Sequence, residues 1–105
     1  MITLKLDFDD ATGLIVGYEV AGHAGMAETG KDIICAAVSA ITQTPLLGLE
    51  RHLKRHPVYQ VSDGVLKVKL DKADELSQAI LMSMYLSVQD VSQKYPNYVR
   101  ILEQR

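Results

Sequence analysis

The chain has 105 residues, enough for one domain that buries a core without a metal or disulfide staple. Apolar residues make up 48% and charged residues 23%, an ordinary globular balance. The formal net charge of -2 argues against charge-driven binding to nucleic acid or anionic membrane, and suits a basic protein partner.

The N-terminal residues 1–10 alternate and then turn acidic, without the basic head and apolar run of a signal peptide. The longest apolar run falls short of the ~20 residues of a membrane helix. The single cysteine cannot form an internal disulfide, which fits a reducing compartment. These features predict one cytoplasmic domain over 1–105, with no membrane and no direct nucleic-acid partner.

Ile2, Leu4, Leu6 and Phe8 alternate with polar residues, predicting a strand with one buried face. Residues 9–13 are a turn cluster. Leu14, Val16, Tyr18 and Val20 continue the alternation, so the first two strands form a hairpin. Gly22 ends the second strand and His23 sits at its exit. Residues 22–31 read as a loop, with Gly25 and Gly30 inside it as turn residues or hinges.

Asp32 is a good helix N-cap, because its carboxylate accepts a hydrogen bond from a first-turn N–H. Ile34, Val38, Ile41, Pro45, Leu49 and Leu53 follow at helical spacing. Pro45 lacks the N–H that would bond the Ile41 carbonyl, which predicts a kink or break there. Residues 57–61 and 64–70 read as strands joined at Asp63-Gly64. A second helix, capped within 71–74, presents Leu76, Ile80, Met84, Val88, Val91 and Tyr95, and Pro96 stops it. A last strand covers 98–102. The fold class is therefore a single-domain α+β sandwich, β-β-α-β-β-α-β, with a mostly antiparallel or mixed sheet and two helices.

Cys35 falls three residues after the proposed cap, near the unpaired N–H groups of the helix start. Those groups favour an anion by about 0.3 to 2 kcal/mol, drawing a thiol toward thiolate. His23 is the natural base, since nucleophile and base need proximity in space and not in sequence. A small apolar cysteine packing the first turn and an exposed loop histidine are the competing readings. Asp32 either caps the helix or also orients the histidine. Ser39, one turn beyond Cys35, either holds the thiolate or a substrate carbonyl, or bonds back to the helix. His52 and His56 lie beside Arg51, Lys54 and Arg55 and read as a solvated basic patch. No spacing resembles a metal site, and no cofactor is expected.

G-H-A at 22–24 and G-K-D-I-I-C-A-A-V-S at 30–39, continued by A-I-T-Q-T, resemble the ribosomal-processing cysteine protease family, Prp. The resemblance implies a homodimeric cysteine endopeptidase. It would remove an N-terminal extension from large-subunit ribosomal protein twenty-seven after an aromatic-rich stretch. It also implies Cys35 as nucleophile and His23 as base, Asp32 and Ser39 in support, and a substrate-binding loop containing Gly22, Gly25 and Gly30. The competing functions are a non-catalytic ribosome-assembly interaction protein and a single-cysteine redox sensor.

Overall fold

A computed structural model describes residues 1–22 and 33–105. Its elements are β1 (Ile2–Phe8), β2 (Ile15–Gly22), α1 (Ile33–Leu47), a π-helical turn (Gly48–His52), β3 (Val58–Ser62), β4 (Val65–Lys69), α2 (Glu75–Lys94) and β5 (Val99–Gln104). The order is the one the sequence pattern predicts. The strands form one mixed sheet in the order β3-β4-β2-β1-β5. Only β1 and β5 are parallel; the other neighbours are antiparallel.

The period of two decides which sheet face is buried. Ile2, Leu4 and Leu6 of β1 share a face with Tyr18, Leu66, Val68 and Val99, and all are buried. Ile34 and Val38 of α1 and Leu81, Met84 and Val88 of α2 complete this core. The opposite face carries charge: Lys5 pairs with Glu19 at 3.6 Å, while Lys67, Lys69 and Arg100 are exposed.

In three places the structure departs from the simple pattern. In β2 a bulge opposite Asp7 and Phe8 turns Ile15 onto the core face. Gln78 of α2 holds the bulge, donating to the Ile15 carbonyl and accepting from its N–H, both at 2.8 Å. In α2 the buried stripe is Ser77, Leu81, Met84 and Val88, so Leu76 is left 57% exposed and Tyr95 is also exposed. The helix is rotated because Ser77 is tied into its cap and cannot turn outward. Lastly, α1 does not break at Pro45, which is buried inside it, and loosens into the π-helical turn only after Leu47. Burial of the Pro45 ring, on the side of α1 that meets Ile80 and Met84 of α2, offsets the lost hydrogen bond.

Asp74 caps α2: its carboxylate accepts from the Ser77 N–H at 3.0 Å, and Ser77 Oγ accepts from the Asp74 N–H. Arg55 grips the same carboxylate with two bonds of 2.6 Å. Arg55 is thus not part of a solvated patch; its side chain is 13% exposed. The guanidinium and the Ser77 N–H hold the Asp74 carboxyl well below the usual carboxylate range. A depressed folded pKa contributes stability above the unfolded value of ~3.9, lost as pH falls through it. We expect urea midpoints of the parent chain to fall below pH ~4. In Asp74→Asn the midpoint should be lower at neutral pH and the acid limb flatter. Parallel limbs would show that Asp74 is not the linked group.

Candidate active site

The cleft beside Cys35 is built where three elements meet. β2 runs out at Ala21 and Gly22, α1 starts above it, and the β3–β4 hairpin stands opposite. The space between them is about 250 Å³. Cys35, in the first turn of α1, is half-buried and lies on the cleft wall. That position puts the residue at the cleft surface, unlike a cysteine sealed within the core.

Ser39 and Gln43 line the same wall, one and two turns beyond Cys35. Gln43 Nε2 donates to Ser39 Oγ at 2.8 Å, so one lone pair of the hydroxyl is engaged along the helix. Eight residues of helix rise about 12 Å. That is the length of three to four residues of extended peptide. The facing wall is Val61, Ser62 and Gly64, above Val20 and Leu66. None of the described lining residues is charged, which suits uncharged or apolar substrate side chains.

A buried polar tie holds this wall to the sheet. The Tyr18 hydroxyl donates to the Thr42 carbonyl at 2.6 Å, and Thr42 Oγ1 donates to the Val38 carbonyl at 2.8 Å. Burial raises the Tyr18 phenol well above its ordinary pKa, so it stays a neutral donor. Every buried side-chain polar atom among the described residues has a partner.

Of the residues singled out from sequence, Cys35, Ser39 and Gly22 come together in this cleft. His23, Gly25, Gly30 and Asp32 lie outside the described residues. His52 and His56 are exposed; His52 borders a different groove, between the helices. Gly22 takes φ +100, and a Cβ there would collide with the Met1 carbonyl. Its N–H donates to the Gly64 carbonyl at 3.1 Å, joining the end of β2 to the hairpin. Sequence reasoning missed Gln43, Thr42 and the hairpin wall. The i, i+4, i+8 spacing of Cys35, Ser39 and Gln43 was the available signal for Gln43. The hairpin wall is a long-range contact with no local signature.

Comparison with known proteins then bears on the chemistry. The family described as cysteine protease Prp matches residues 1–100. The ribosomal processing cysteine proteases Prp of Staphylococcus aureus strains Mu50 and NCTC 8325 are 28% identical over 106 aligned positions. The alignments cover 96% of this chain and 97% of each relative. The S. aureus enzyme in complex with a covalently linked product peptide superposes with a TM-score of 0.89 at 26% identity, over 99% of this chain and 100% of that one. SMU.848 from Streptococcus mutans gives 0.85 at 27% identity, over 99% and 94%.

Proposed function

Since the chain belongs to the Prp family of cysteine proteases and is a peptide hydrolase, we propose that Cys35 is its nucleophile and His23 its base. The observation that carries this is the position of Cys35: first turn of a helix, half-buried, on a cleft whose described lining residues carry no charge and which is long enough for a short extended peptide. The Cys35 proton passes to the His23 imidazole, and the thiolate attacks the scissile carbonyl. Backbone N–H groups at the helix start stabilise the oxyanion. The C–N bond breaks, His23 returns the proton to the leaving amine, and a thioester remains on Cys35. Water, deprotonated by His23, releases the carboxylate product and restores the thiol. Asp32 and Ser39 support the dyad, and the loop with Gly22, Gly25 and Gly30 covers the substrate. Family membership sets aside the non-catalytic and redox-sensor readings.

The substrate we propose is the N-terminal extension of large-subunit ribosomal protein twenty-seven, cut after its aromatic-rich stretch in the cytoplasm by a homodimer. The lack of charge among the described cleft residues supports apolar residues before the cut, and the net charge of -2 supports a basic substrate body. The test is to incubate the chain with that precursor and follow the products by mass spectrometry. One cut that removes the extension is expected. An intact precursor, alongside turnover of unrelated peptides, would overturn the substrate and leave the family chemistry standing.

A further inference from the structure

Beyond Cys35, two side chains make the cleft side of α1 polar: Ser39 and Gln43. Thr42 borders the same space, but its hydroxyl is turned onto its own helix. It donates to the Val38 carbonyl at 2.8 Å and to the Ser39 carbonyl at 3.2 Å. The rest of the described lining is largely aliphatic, with Ile2, Val20, Val61, Val65 and Leu66. An extended peptide laid in this cleft is screened from water on its α1 side, where its N–H and C=O groups then need partners. The backbone of a helix interior offers none, because its groups bond one another. Side chains must supply them.

Gln43 is exposed and borders the cleft. Its amide carries two N–H donors and one oxygen acceptor. One N–H is donated to Ser39 Oγ at 2.8 Å. That bond draws the side chain back along α1 toward Cys35 and fixes the amide. The second N–H and Oε1 stay outside it. We infer that these two atoms form a main-chain subsite for the substrate, holding one residue about two to three positions before the scissile bond. The inference rests on the Cys35 reading above and adds a contact away from the reacting atoms. In an extended chain the N–H and C=O of one residue point to the same side. Oε1 accepts from that N–H, and the free Nε2–H donates to that C=O. Ser39 stands one turn, about 6 Å of helix rise, beyond Cys35. The amide lies a further 2.8 Å away. The resulting span of roughly 9 Å matches two to three residues of extended peptide. Because the contact reads backbone, it tolerates any side chain there except proline, which lacks the N–H. The aliphatic lining is left to choose among side chains. An amide already held by Ser39 loses little freedom on binding, which favours affinity.

The test compares the full chain with Gln43→Met, which keeps the length of the side chain and removes the amide. The substrate is the extension peptide of the proposed precursor. KM should rise about 10-fold while kcat stays within about 2-fold. N-methylation of the peptide nitrogen about two or three residues before the cut should cost the parent about 10-fold more in kcat/KM than it costs the variant. N-methylation after the cut should affect both alike. Iodoacetamide, too small to reach Gln43 from Cys35, should label Cys35 at the same rate in both, with unchanged circular dichroism. A Gln43→Met enzyme with the parental KM would overturn the inference and leave the Cys35 reading standing. So would a fall in kcat together with slower labelling, which would make Gln43 a support for Ser39 and not a substrate contact. A parent that does not cut the peptide at all would overturn the substrate proposed above, and the subsite with it.

Discussion

Replacing Cys35 with alanine is expected to abolish cleavage and leave the fold in place. Loss of a nucleophile that works as a unit with its base costs on the order of 10⁴-fold or more in turnover. The structural cost is small, because alanine is the best helix former and the sulfur sits at the border of the core. A stability change of about 1 kcal/mol or less is expected. Cleavage is read on the precursor peptide, and folding by circular dichroism and urea denaturation on the same sample. Iodoacetamide labelling of the parent adds a second readout: an activated thiol labels with a midpoint below the ~8.5 of an ordinary cysteine. Near-parental turnover by Cys35→Ala would remove Cys35 from the chemistry, whatever the family.

Gly22→Ala is expected to have the next largest effect, for a different reason. A non-glycine residue at the φ of Gly22 costs about 1–3 kcal/mol. The new Cβ also collides with the Met1 carbonyl, so the end of β2 must shift away from β1. His23 is the next residue, and a displacement of about 1 Å at a catalytic group can cost 10²-fold. A loss of about 10²-fold in kcat/KM is therefore expected, beyond what the lowered stability explains. Gly13→Ala is the control. Gly13 also has positive φ, but nothing lies within 4 Å of its Cβ position, and its turn is not part of the cleft. It should lose comparable stability and keep its rate. Equal rates in the two variants would mean that the end of β2 does not position the base.

The sequence made the elements readable because their signals are local. Alternation marked β1, Asp63-Gly64 marked the second hairpin, and an aspartate within 71–74 marked the start of α2. What stayed hidden depends on contacts between distant residues. The bulge at Ile15 is held by Gln78, 63 residues away. The rotation of α2 follows from the capping tie between Asp74 and Ser77, which no periodicity reports. In the cleft, Cys35 stood out because it is the only cysteine, and Ser39 because it is one turn on. Thr42 did not, since a polar residue at a core position reads as an exposed one until Tyr18 is seen to bond its carbonyl.

The pairing of β1 with β5 has a consequence for how the protein comes to life. Thr3 and Arg100, 97 residues apart, are hydrogen-bonded across that seam, and Ile2, which borders the cleft, stands opposite Val99. The sheet therefore cannot close until β5 has been synthesised, and closure of so long a loop is slow. Until then the chain carries an open edge on β1, the strand whose Ile2 borders the cleft. A chain cut short before β5 is therefore expected to lack cleavage activity and to self-associate through the bare β1 edge, read by peptide turnover and light scattering.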